Sequence, residues 1–169
     1  MAAGGRNSAG LEKLETVMPL KGAFRHLFGK PAPGYMEAVA DVAASGRLPE
    51  VEEKARTVLE AAEDKKEYGD LRGNPVSTDG VAAIMHYTAD DTITDPALYQ
   101  DMNNICYDKD RRKVMVYCKL IWLILRTFQI LEPYRGGLLF RGVKMDLRDQ
   151  YVKGRKITWH GFSSCTHRP

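Results

Sequence analysis

The residues best placed to do chemistry stand at the ends of two short apolar runs. Arg141 and Gly142 follow Leu138-Leu139-Phe140, and Ser163, Ser164 and Thr166 follow Ile157-Thr158-Trp159 after a short interval. Apolar, β-branched and aromatic runs that stop at polar residues read as core strands that deliver a side chain into a cleft. A guanidinium so placed is either an ion-pair partner at a sheet edge or a fork for phosphate or carboxylate. Gly142 favours the second use, because a residue without Cβ lets a ligand reach the main chain. The three hydroxyls either bond neighbouring backbone or orient a ligand. No His or Asp stands at a spacing that marks a serine nucleophile, so a hydrolase triad is not supported. His160, Cys165 and His167 lack a paired ligand set, and no metal site is expected.

The elements that must position these residues are mostly helical. Residues 1–34 read as a disordered or linker extension, since residues 1–10 are small and polar and Lys30-Pro31-Ala32-Pro33-Gly34 cannot continue a helix. Helices are expected over Tyr35–Ala44, stopped by Ser45-Gly46, and over Pro49–Tyr68, where Val51, Ala55, Val58, Leu59 and Ala62 form one stripe. Gly73-Asn74-Pro75 marks a turn. Ser77 should cap a helix over Thr78–Tyr87, and Asp95-Pro96 should open one carrying Leu98, Met102, Ile105 and Cys106. The most apolar segment, Asp110 to about Leu131, reads as one buried helix ended by Pro133. A further short helix is expected around Met145–Tyr151. The fold expected is therefore α+β: a helical part over 35–132 packed on a small mixed β-sheet over 137–166 that forms the cleft.

Composition narrows the setting. The chain of 169 residues has a net charge of +3, but residues 1–108 hold 11 Lys/Arg and 18 Asp/Glu, a net of −7, whereas residues 109–169 hold 14 and 4, a net of +10. Two halves of opposite sign attract within one fold; the sharper reading is a basic cleft for a dinucleotide, and nucleic acid is the least supported partner. The apolar run Ile121–Leu125 is far below the roughly 20 residues that cross a bilayer, and no secretory signal is read at the start. Three cysteines without metal spacing suggest reduced thiols and a cytoplasmic setting.

Phe140-Arg141-Gly142-Val143, followed about twenty residues later by Trp159 to Thr166, resembles the Arg-Gly and Ser-Thr-Ser elements of the arginine-specific and toxin-like mono-ADP-ribosyltransferases. Tyr87-Thr88, Leu98 to Asn104 and Pro133 to Gly136 are similar to upstream segments of that family, so the resemblance spans about Thr78 to Thr166. Its specificity lies in order and spacing, since each short motif is common by chance. The resemblance implies NAD as substrate and an acceptor protein as partner, with ADP-ribose passed to a protein side chain, arginine by family habit, and nicotinamide released. Arg141 would contact the diphosphate or adjacent ribose. Gly142 would offer its backbone to the nicotinamide carboxamide, and Ser163, Ser164 and Thr166 would line the same pocket. Ser164 matches the first serine of the Ser-Thr-Ser element, which orients the catalytic glutamate; Cys165 and Thr166 replace its threonine and second serine.

The family's Glu-x-Glu segment lies some tens of residues beyond that element, and the chain ends at Pro169. It therefore reads as the N-terminal portion of such a domain. Asp146 and Asp149 are the acids nearest the motifs, on a face expected to be solvated. Without a carboxylate at the developing oxocarbenium charge, transfer by this chain alone should be very slow, since losing such a group typically costs on the order of a hundredfold or more. Two alternatives stay open: an NAD or ADP-ribose binding module without catalysis, and a helical interaction protein with a basic C-terminal surface.

Overall fold

The computed structural model describes Phe24, Leu27 and residues 29–89, 96–141, 148–149, 151–154, 156, 161–163 and 165–167. Among these residues the architecture is five α-helices and one 3-10 helix: α1 (Tyr35–Ala44), α2 (Val51–Glu67), α3 (Thr78–Thr88), α4 (Leu98–Tyr107), the 3-10 helix Arg111–Tyr117, and α5 (Cys118–Phe128). The boundaries follow from local chemistry. After α1 the N–H groups of Ser45 and Gly46 bond back to Val42 and Ala43, with Gly46 at φ +67°, a left-handed turn that glycine adopts without penalty. Ser77 caps α3, its Oγ accepting from the Gly80 N–H at 3.1 Å. Between α2 and α3 the Asn74 side chain accepts from the Val76 N–H at 2.9 Å, which holds the turn.

The core is centred on α5. Leu120, Ile121, Trp122, Leu123, Ile124 and Leu125 are all buried, so this helix is apolar nearly all round and must be enclosed. It packs against α1, α3 and the 3-10 helix. Trp122 also stacks on Phe24, ring centroids 5.7 Å apart, so Phe24 and Leu27 add to the core from ahead of α1. Each fully buried large side chain contributes about 1.5–3 kcal/mol from apolar transfer.

Three expectations need correction. The apolar segment from Asp110 is not one helix. Asp110 accepts from the Arg112 N–H at 3.1 Å and starts a tight 3-10 turn, in which residues three apart eclipse and Val114 and Tyr117 bury together. α5 begins only at Cys118 and ends at Phe128, before Pro133. Likewise α4 starts after Ala97, whose N–H is taken by the Gln100 side chain at 3.2 Å, not directly at Pro96.

The larger correction concerns the sheet. Among the described residues there is no β-strand, only one isolated antiparallel bridge, Phe140 with Thr166, so the helical part does not rest on a mixed β-sheet there. Leu138, Leu139 and Phe140 are 80%, 52% and 40% exposed. Their apolar types favour extended backbone, but a strand also needs neighbours on its edges and face, and a single pairing is marginal. The helix expected around Met145–Tyr151 falls largely outside the described residues.

Two stability predictions follow from buried contacts. A Cβ on Gly80 would fall on the side chain of Thr127, whose hydroxyl is fixed to the Leu123 carbonyl at 2.9 Å. Gly80→Ala should therefore destabilise by about 1–2 kcal/mol, as overpacking outweighs the better helix propensity. The urea midpoint should recover when Thr127→Ala is added. The second concerns His86, 3% exposed, whose Nδ1 meets the Tyr35 hydroxyl at 2.6 Å. Burial, with the nearby Lys54 charge, lowers its pKa from 6.5 to about 4. A depressed imidazole keeps its full contribution above the unfolded value and loses it as pH falls from about 6.5 toward 4. The folded state should weaken by about 3 kcal/mol across that window, and urea titrations of His86→Gln should show a flatter pH dependence than the native chain.

Candidate functional site

α4 is set in place by a carboxylate. Asp101 is 6% exposed and takes the Arg47 guanidinium in a fork, Nε to Oδ2 at 2.7 Å and Nη2 to Oδ1 at 2.6 Å, and also accepts from the Tyr117 hydroxyl at 2.6 Å. Burial alone would raise its pKa, but the bonds from Arg47 and Tyr117 outweigh this and hold the carboxyl below its usual range. The loop after α1, the 3-10 helix and α4 are thereby fixed to one another. α4 then presents Tyr99, Asn103 and Tyr107, spaced four apart, beside its buried stripe.

Against that flank lies the C-terminal segment. Phe162 is half-buried, its ring edge-on to Tyr87 at 5.5 Å and to Phe128 at 6.1 Å, while Tyr87 is edge-on to Tyr99 at 6.4 Å. Asn103 bonds the Tyr87 hydroxyl and the Phe162 N–H, each at 3.0 Å. Phe140 and Thr166 exchange both backbone bonds, 2.7 and 2.9 Å, and the Arg141 guanidinium donates to the Ser163 hydroxyl. The result is a cleft of about 310 Å³. Tyr87, Tyr99 and Asn103 form its helical wall, and Phe140, Arg141, Phe162, Cys165 and Thr166 the other.

Arg141, Ser163 and Thr166, expected from sequence, are brought to one place: Arg141 and Thr166 line the cleft and Ser163 holds the guanidinium. Gly142 and Ser164 lie outside the described residues, as does His160. Tyr99 and Asn103 entered the sequence reading only as part of the Leu98 to Asn104 segment, with no site role assigned to either. The signal available was the Tyr99-Asn103-Tyr107 spacing, a mildly polar stripe next to an apolar one, which most surface helices also show. Among the described lining residues there is no carboxylate. Burial raises the Tyr87 phenol above its ordinary value, so it stays protonated and hydrogen-bonds as a neutral group. Aromatic edges, a guanidinium and neutral hydrogen-bonding groups suit recognition of an anion joined to a planar ring. Cys106 and Cys118 are buried, with thiols pushed up to about 11 and about 12 by desolvation, and no cysteine is in a disulfide. Among the described residues no group of three His, Cys, Asp or Glu is arranged to hold a metal, and no helix is long and apolar enough to cross a membrane.

Comparison with known proteins finds no matching family, no matching curated protein and no matching solved structure.

The carboxylate that seats α4 yields a test. Asp101→Ala removes the buried partner of a pair whose guanidinium is partly exposed and leaves the Tyr117 hydroxyl without its acceptor, so it should cost about 2–3 kcal/mol, while Tyr117→Phe should cost about 1 kcal/mol. Urea unfolding of both variants at neutral pH checks the order.

Proposed function

We propose that this chain carries the NAD-binding portion of a mono-ADP-ribosyltransferase, the enzyme class that passes ADP-ribose from NAD to a protein side chain, here arginine, with release of nicotinamide. The observation that supports it best is the meeting of Arg141 and Ser163 across the Phe140–Thr166 bridge, at the mouth of an aromatic-lined cleft. The order and spacing of the Arg-Gly and Ser-rich elements point the same way. Arg141 takes the diphosphate as a charged donor, which a planar guanidinium does with more geometric control than an ammonium. Thr166 offers a hydroxyl on the same wall, and the aromatic edges of Tyr99 and Phe162 cover a planar ring. The transfer breaks the bond between nicotinamide and its ribose and leaves positive charge on the sugar. A carboxylate must face that charge, and none stands among the described lining residues. Three cysteines outside any disulfide support a reducing, cytoplasmic setting.

The absence of a lining carboxylate among the described residues favours a second reading, an NAD or ADP-ribose binding module without turnover. Calorimetric titration of the full chain with NAD, together with NAD hydrolysis and arginine-modification assays, separates the two. Binding should occur and weaken at least about tenfold in Arg141→Ala, the loss expected for a hydrogen bond to a charged group. Turnover should be very slow in both proteins. Rapid Arg141-dependent turnover would assign the complete reaction to this chain and remove the module reading. Absence of NAD binding, with salt-sensitive capture of an acidic partner instead, would overturn both and favour the interaction-protein alternative.

A further inference from the structure

Asn103 joins the helical wall of the cleft to the C-terminal segment through both ends of its amide. Nδ2 donates to the Tyr87 hydroxyl at 3.0 Å, and Oδ1 accepts from the Phe162 N–H at 3.0 Å. The chain can come this near only because residue 161 is glycine. A Cβ on Gly161 would stand 2.6 Å from the same Oδ1 and 3.3 Å from a ring carbon of Tyr107. The backbone at Gly161 is not left-handed, so space, not conformation, is what alanine would violate. Directly after this contact Phe162 seats its ring between Tyr87 and Phe128, and a few residues on Thr166 pairs with Phe140. Arg141, next to Phe140, closes the circuit by bonding Ser163.

We propose that Asn103 is a positioning residue of the cleft: by fixing the Gly161–Phe162 backbone on α4 and α3 it sets the Phe140–Thr166 bridge, and through the bridge the place of the Arg141 guanidinium. A side-chain amide is suited to this task because it donates and accepts at once, where an aliphatic side chain does neither and a carboxylate only accepts. Aspartate nevertheless keeps the acceptor for the Phe162 N–H, and the protonated Tyr87 phenol can turn to donate to it. The anchoring itself is independent of any ligand; the effect on affinity rests on the dinucleotide reading given above.

Amide hydrogen exchange on the full chain tests the anchoring, and NAD titration tests its consequence. In Asn103→Ala the N–H groups of Phe162, Phe140 and Thr166 should exchange about tenfold faster or more, equivalent to losing one coupled contact. The amides of α5 should stay as slow as in the native chain. Gly161→Ala should give the same pattern from the opposite side of the contact. Adding Gly161→Ala to Asn103→Ala should change little further, because the 2.6 Å collision with Oδ1 is gone and only the 3.3 Å approach to the Tyr107 ring remains. Asn103→Asp should restore slow exchange at Phe162. Additive effects in the double variant, or unaltered exchange at the three N–H groups, overturn the proposal. So does NAD affinity that is present in the native chain and unaltered in Asn103→Ala and Gly161→Ala, where a weakening of about tenfold is expected. Faster exchange as described, in a native chain that binds no NAD, upholds the anchoring and removes the dinucleotide reading alone. If Asn103→Ala fails to fold, Gly161→Ala carries the same comparison.

Discussion

A single carboxylate determines how the parts of this molecule sit together. Asp101 is almost fully withdrawn from solvent and binds a guanidinium from the loop after α1 and a phenol from the 3-10 helix. An ionised carboxylate in such a place is tolerated only when its acceptor sites are filled by well-aligned donors. Here three come from two different segments, so α4 cannot rotate or slide without leaving a buried charge exposed to apolar surroundings. The aromatic and amide groups two residues on either side of Asp101 inherit that fixed orientation. The wall of the cleft is thus a consequence of an ion pair that faces away from it.

Helices were the part of the fold most legible in the sequence. Ser77 three residues ahead of Gly80, Ser45-Gly46 after an alanine-rich stripe, and Asn74 before Pro75 each specify a local hydrogen bond that forms as their chemistry demands. The break at Cys118 was not legible. Hydrophobic periodicity distinguishes a buried face from a wet one, but Val114 and Tyr117 lie three apart, a separation that suits both α and 3-10 geometry. The lack of strands among the described residues marks a different limit. Leu138 to Phe140 carry the residue types of a core strand, yet pairing is a property of two segments, and only Phe140 is paired among the described residues.

At the candidate site, the residues that sequence singled out are those with distinctive chemistry; Arg141, Ser163 and Thr166 lie together, while Gly142 and Ser164 fall outside the described residues. Arg141, Ser163 and Thr166 stood out because charge and hydroxyls seldom end apolar runs; Arg141 and Thr166 line the cleft and Ser163 accepts from the guanidinium. Tyr99 and Asn103 were noticed only within the Leu98 to Asn104 segment and were given no role in a site. The contact of Asn103 with Phe162 and Gly161 spans some sixty residues of chain, and a contact of that range leaves no local trace. Gly161 shows how a small residue can be informative only after its neighbour is known.

The exposure of Leu138 and Leu139 beside a lone backbone bridge has a consequence for handling the protein. Exposed, apolar and without a strand partner among the described residues, this strip could meet the same strip of another copy, which is how edge-to-edge association and precipitation begin. Arg135 and Arg141 bracket the strip with positive charge, so mutual repulsion between copies opposes such encounters. That protection weakens as added electrolyte shortens the range over which the charges are felt. Arg141 thus stands both on the wall of the cleft and at one end of this exposed strip.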